Sequence, residues 1–142
     1  MRLPKKFFKS ASSTQLIGTM LATARSQVAA YPTTTFVDGE ASLDRYLRAQ
    51  AGQDVRRRAN GVFILVAADA VETVLGYYTL CATSVPQGDV PAAARKHVPR
   101  YPLVSATLIG RLAVSRTRQG DGLGSLLLAD AVQRAYQPEP RW

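Results

Sequence analysis

The sequence predicts one α/β domain, and three observations predict it. Two apolar, β-rich runs, Val62 to Ala68 and Val74 to Thr83, stand close enough to pair as a hairpin. Apolar residues recur at helical spacing from Ser42 onward and again from Leu123 to Ala135. A further strand-like run, Ala106 to Val114, passes through a glycine-rich turn directly into the second of these helices. A chain of 142 residues is long enough for one core and too short for two.

The elements follow in order. Residues 1–30 read as a basic leader: Arg2, Lys5, Lys6, Lys9 and Arg25 occur there without an acid. Leu16 to Ala24 is mildly apolar, but Gly18 and Thr19 interrupt it, which argues against a signal peptide. The domain is expected over 31–142. Tyr31 to Val37 is β-branched and aromatic, with Pro32 assigning it to an edge. Ser42 can cap a helix whose apolar face is Leu43, Tyr46, Leu47 and Ala51, with Asp44 and Arg48 as an i,i+4 pair. Arg56, Arg57 and Arg58 fall where that helix ends, and cations there complement its dipole.

The hairpin comes next, linked through a short stretch holding Asp69 and Glu72. Tyr77 and Tyr78 alternate across its second strand, so one is expected in the core and the other facing a site. Five prolines and glycines make 85–103 mostly loop, with Ala92 to Lys96 as one helical turn. After the strand Ala106 to Val114 and a turn at Arg116 to Gly120, the helix Leu123 to Ala135 presents Leu126, Leu127, Ala131 and Val132 as apolar positions. Pro138 and Pro140 stop it.

The net charge of +8 favours anionic partners such as nucleic acid, phosphorylated cofactors or anionic membrane surface. No run reaches the length of a membrane-crossing helix. One cysteine, Cys81, excludes an internal disulfide, and a lone histidine, His97, without a CxxC or HxH pattern argues against a metal site. A reducing cytoplasm suits this composition.

The chemistry resides in Gln119-Gly120-Asp121-Gly122-Leu123-Gly124. A strand that ends in such a turn and opens a helix points several backbone N–H groups, backed by the positive helix end, at one anion. Glycines at 120, 122 and 124 let phosphates approach the backbone. A P-loop needs GxxxxGK[ST], and no lysine follows these glycines. A dinucleotide fingerprint needs GxGxxG with an acid and a second strand further on, whereas the spacing here is GxGxG near the end of the chain.

The third pattern is Gln/Arg-x-x-Gly-x-Gly/Ala, met by Gln119, Gly122 and Gly124. With Phe36 to Leu47 (FVDGEASLDRYL), Gly76 to Leu80 (GYYTL) and Leu108 to Val114 (LIGRLAV), it resembles the GNAT-fold N-acetyltransferases. The similarity runs from about Phe36 to Tyr136 and lies with the tRNA-acetylating toxins of type II toxin–antitoxin pairs. The resemblance implies a mixed, mostly antiparallel sheet flanked by helices, with acetyl-CoA as donor. It also implies that Leu112, Ala113 and Val114 pair with the pantetheine amides and that one of their N–H groups faces the thioester oxygen. Gln119, Gly120, Asp121, Gly122, Leu123, Gly124 and Ser125 would hold the pyrophosphate.

The implied acceptor is the α-amine of aminoacyl-tRNA, with Arg56, Arg57, Arg95, Lys96 and Arg111 as candidate tRNA contacts, joined by Arg58 and Arg100. Arg111 stands in an apolar strand, where a charge needs a partner or a cleft. A ribbon-helix-helix antitoxin is the implied partner, and a homodimer is a further expectation. The family pattern continues into a fifth strand, a helix bearing the general-acid tyrosine, and a closing strand. The sequence ends at Trp142 before these, so a C-terminally truncated fold is expected and no catalytic residue is assigned. Tyr136 is not given that role. Two other functions stay open: acetylation of a small amine or protein N-terminus, and an inactive remnant that binds antitoxin or RNA.

Overall fold

Apolar residues fill every position of Gly61–Val66, and this continuous run is the mark of a strand covered on both faces. The computed structural model describes residues 36–66 and 73–136, and the backbone of Met20–Leu21. Four strands pair antiparallel in the order β1 (Met20–Leu21), β2 (Gly61–Val66), β3 (Val74–Pro86), β4 (Leu103–Val114). The strand expected at 31–37 lies outside the described residues save Phe36 and Val37, which are not in a strand. Asp69, Glu72, Pro138 and Pro140 also lie outside them.

Strand alternation sends neighbours to opposite faces, and each face has its helix. On one, Phe63, Leu65, Leu75, Tyr78, Leu80 and Val114 meet Leu123, Leu126, Leu127 and Ala131. The latter four belong to the long helix Leu123–Ala135, which has the bounds its periodicity predicts. Val132, expected among its apolar positions, is 42% exposed, because the apolar stripe is narrower than the count of apolar residues. On the other face, Val62, Ile64, Val66, Val74, Tyr77 and Ala113 meet Phe36, Tyr46, Leu47, Ala51 and Val55.

That second helical layer consists of α1 (Ala41–Arg45), a wider π turn at Tyr46–Gln50, and α2 (Ala51–Arg56). Its cap is Glu40 rather than Ser42, with the Glu40 carboxylate accepting from the Ser42 amide. Asp44 does not pair with Arg48. It is buried, and its carboxylate accepts the Asp38 amide at 2.7 Å, a bond that holds the entry to α1. The one-turn helix α3 (Ala92–Arg95) occupies the β3–β4 connection as expected, and β3 and β4 run further outward than predicted. The Leu123–Ala135 helix is α4. It comes so close to β3 that a Cβ at Gly76 would lie 2.9 Å from Leu127 Cδ1, while β4 puts the Ala113 carbonyl oxygen 2.7 Å from the same point.

With helices on both faces, Tyr77 and Tyr78 are both fully buried, so neither faces a site. Each finds a partner for its hydroxyl. Tyr77 donates to the Leu43 carbonyl at 2.8 Å, and Tyr78 donates to Asp130, which also accepts from Arg134 Nε at 2.8 Å. Burial raises both phenol pKa values above their ordinary range, and Asp130 pushes Tyr78 further in the same direction. Burial alone would lower the Arg134 pKa, but the Asp130 pair outweighs it and raises the value.

Candidate functional site

The predicted loop lies where β4 hands over to α4, and the strand is shaped just before it. Thr79 pairs with Arg111 but Leu80 pairs with Ile109, so Gly110 is the extra residue of a β-bulge. The Thr79 hydroxyl accepts the Arg111 amide at 3.0 Å inside this bulge. A Cβ at Gly110 would stand only 3.1 Å from that hydroxyl. Sequence reasoning missed the bulge, although a lone glycine within a strand pattern is its usual signal.

Past the bulge the pairing alternates. The Ser115 amide donates to Leu75 in the extension of the β3–β4 ladder, so Ala113 and Arg111 likewise turn their amides toward β3. Leu112 and Val114 therefore turn N–H and C=O outward, along the edge of the described sheet. An extended ligand rich in amides can pair with such an edge as an added strand.

The turn that follows holds Gly120 at φ +91° and Gly122 at φ +83°, backbone conformations that favour glycine. A Cβ at either would meet no heavy atom within 4 Å, so these glycines serve the turn and leave open space beside it. Gly124 is different: its Cβ would touch only Val114 Cγ2 at 3.9 Å, an ordinary contact. Gly122 is the N-cap of α4 and no side chain caps that end. The Leu126 amide reaches the Gly122 carbonyl, whereas those of Leu123, Gly124 and Ser125 precede the first intrahelical acceptor. Leu123 offers only its amide, since its side chain is in the core. Asp121 forms an ion pair with Arg118 at 3.2 Å.

Gln119 turns inward to the protein. Its amide nitrogen donates to the Asp38 carbonyl at 2.7 Å and the Val114 carbonyl at 3.1 Å. The Asp38 carboxylate in turn accepts the outward amide of Val114 at 3.3 Å. Nearby, the Arg116 amide donates to the Val37 carbonyl at 2.7 Å. The 36–40 segment is thus stitched to the end of β4, a neighbour for the site that no local pattern announced.

The candidate cations fall in three places. Arg56 and Arg57 are exposed at the end of α2, where Arg58 has φ 58°. The Arg111 guanidinium lies 3.7 Å from the ring centre of Tyr46, so a cation–π contact meets its need for a partner. Burial pushes the Tyr46 phenol up to about 12, with opposing effects from Asn60 and Asp54, and keeps it protonated at neutral pH. Arg95, Lys96 and Arg100, with Gln87 and Val98, line a cavity of about 400 Å³ in the β3–β4 connection. Arg95 is clamped there by the Val90 and Gly88 carbonyls, both at 2.8 Å, and no carboxylate lines this cavity.

Cys81 is a free, partly exposed cysteine and His97 is exposed. Among the described residues no His, Cys, Asp and Glu side chains gather as a metal site, and no helix is long and apolar enough to cross a membrane.

No family model matches the chain. It is 39% identical over 104 residues to a tRNA-acetylating toxin of Mycobacterium tuberculosis, a match that covers 73% of this chain and 60% of the relative. AtaT complexed with acetyl-methionyl-tRNAfMet superimposes with a TM-score of 0.66 at 31% identity, over 72% of this chain and 61% of AtaT. A tyrosine mutant of AtaT has been solved with the C-terminus of the antitoxin AtaR and acetyl-CoA (TM-score 0.60, 28% identity, 74% and 58% coverage). A tyrosine-to-phenylalanine mutant of KacT gives a TM-score of 0.72 at 27% identity, over 82% of this chain and 69% of KacT. The chain thus spans about 60% of the length of the curated relative it matches. It has the GNAT fold, and over this span its sequence is similar to a tRNA-acetylating toxin.

Proposed function

We propose that this chain binds acetyl-CoA along the outer edge of β4 and across the amino end of α4, as the donor half of an N-acetyltransferase. The acceptor is the α-amine of aminoacyl-tRNA, and its acetylation blocks translation. The observation that carries this reading is the β4–α4 junction: an outward strand edge at Leu112, positive-φ glycines at 120 and 122, and an uncapped helix start.

The residues fit the donor. Leu112, Ala113 and Val114 supply the strand that faces pantetheine, and Leu112 and Val114 carry the outward amides. The amides of Leu123, Gly124 and Ser125, which have no intrahelical acceptor, suit a pyrophosphate, where the α4 dipole adds its positive end. Gln119 supports this turn from behind through Asp38 and Val114. Acetyl-CoA supplies the acetyl thioester: the amine nitrogen forms the new C–N bond, the C–S bond breaks, CoA leaves as thiolate, and the amine gives up a proton. An outward N–H of β4 aimed at the thioester oxygen would stabilise charge as it develops there.

For the acceptor, the basic cavity of Arg95, Lys96 and Arg100 is the strongest support, since three cations without an acid suit RNA phosphates. Arg56 and Arg57, exposed at the end of α2, are further cations available to phosphates. Arg111 has the Tyr46 ring as its partner, yet it remains half-buried beside the strand edge and can still face the acceptor. The reading includes a ribbon-helix-helix antitoxin as partner, a homodimer, and a cytoplasmic location.

The test is a calorimetric titration of the 142-residue chain with acetyl-CoA, followed by acetyl transfer to charged tRNA. Saturable micromolar binding and acetylated aminoacyl-tRNA are expected. A folded chain that takes up no acetyl-CoA would overturn the reading.

A further inference from the structure

We infer that Asp38 sets the affinity of the site for acetyl-CoA, because its carboxylate holds the strand-edge N–H that a pantetheine carbonyl would need; this rests on the acetyl-CoA reading of the β4–α4 junction. Asp38 Oδ2 accepts the Val114 amide at 3.3 Å, and that amide points to the outer edge of the described sheet. An N–H at a strand edge serves one good acceptor at a time. The carboxylate and an amide carbonyl laid along β4 are therefore competitors for the same hydrogen.

The rest of Asp38 is arranged so that the carboxylate can yield without the chain moving. Its amide donates to Asp44 Oδ1 at 2.7 Å and its carbonyl accepts Gln119 Nε2 at 2.7 Å, so both main-chain groups are held by short bonds. The side chain is held by longer ones: 3.3 Å to Val114, 3.2 Å from the Glu40 amide to Oδ1, and 3.5 Å from Gln119 Nε2. Asp38 belongs to neither of the two ion pairs among the described residues. A rotation of the side chain frees Val114 while the 36–40 segment stays in place. The same carboxylate is also a negative charge beside a site for a polyanion, and this second effect can be separated from the first.

The experiment compares wild type with Asp38→Ala in two calorimetric titrations. Acetyl-CoA reports both effects; adenosine 3′,5′-bisphosphate, which keeps the 3′-phosphate and one of the two 5′-phosphates and has no pantetheine, reports charge alone. Loss of one competing hydrogen bond should tighten acetyl-CoA binding ~5-fold, with the bisphosphate changed less than about twofold. Asp38→Asn keeps an oxygen that can accept from Val114, so it should fall between the two, and it serves as the comparison if the alanine variant does not fold. Acetyl-CoA binding that is unchanged or weaker in Asp38→Ala overturns the inference. An equal tightening for both probes also overturns it, by assigning the effect to charge. Failure of both proteins to bind acetyl-CoA would remove the donor reading itself, whereas binding without tightening removes only the role of Asp38.

Discussion

The side-chain amide of Gln119 bridges two main-chain carbonyls, that of Asp38 at 2.7 Å and that of Val114 at 3.1 Å. One residue therefore ties the glycine turn both to the strand that precedes it and to a segment 81 positions earlier. Gln119→Ala removes both bonds. It should lower stability by about 1–2 kcal/mol in urea denaturation and weaken acetyl-CoA binding, because the turn and the edge of β4 lose their common anchor. Wild-type stability and affinity in this variant would assign Gln119 to neither role.

Gly122 stands at φ +83° with open space around its missing side chain. Gly122→Ala should cost ~1–2 kcal/mol through backbone conformation alone. Gly122→Glu adds a carboxylate where the phosphates are expected, and should abolish acetyl-CoA binding while the helical circular-dichroism signal persists. Unchanged acetyl-CoA affinity would take the turn out of the site.

Lys96 and Arg100 line the basic cavity, and Arg95 frames it through two backbone carbonyls. The double variant Lys96→Glu, Arg100→Glu should weaken tRNA binding and reduce its salt slope by about 2, as expected for two lost phosphate contacts. Acetyl-CoA affinity should not change, since the cavity belongs to the β3–β4 connection and not to the β4–α4 junction. A salt slope equal to wild type would place the RNA elsewhere.

Tyr46, Tyr77 and Tyr78 all have phenol pKa values raised by burial, that of Tyr46 to about 12. Between the unfolded value near ~10 and these folded values the native state binds more protons, so stability falls as pH rises through that window. Below it the contribution is complete. Alkaline titration should therefore show Tyr46, Tyr77 and Tyr78 ionising only as the near-ultraviolet signal collapses. Ionisation of these three near the ordinary value, with the fold intact, would contradict the packing of the two cores.

The sequence by itself determined the hairpin, the strand after it, the long helix and the glycine turn, because these depend on neighbours a few residues apart. Strand alternation, helical spacing in Leu123–Ala135, and the need for positive φ at Gly120 and Gly122 are all written locally. Partners were decided only by tertiary structure. Ser42 is a sound cap by type, yet Glu40 is placed to cap α1. Asp44 suits a helical pair with Arg48, yet burial brings it to the Asp38 amide. One of two adjacent tyrosines would face outward on a sheet covered once; a second helical layer buries both, and Asp130 then receives the Tyr78 hydroxyl from 52 residues away. The same holds at the candidate site, where Asp38 meets Val114 across 76 positions and Arg111 meets the Tyr46 ring. A side chain's type limits what it can bond, but its actual partner is whatever the packed layers bring within reach, and no local pattern encodes that.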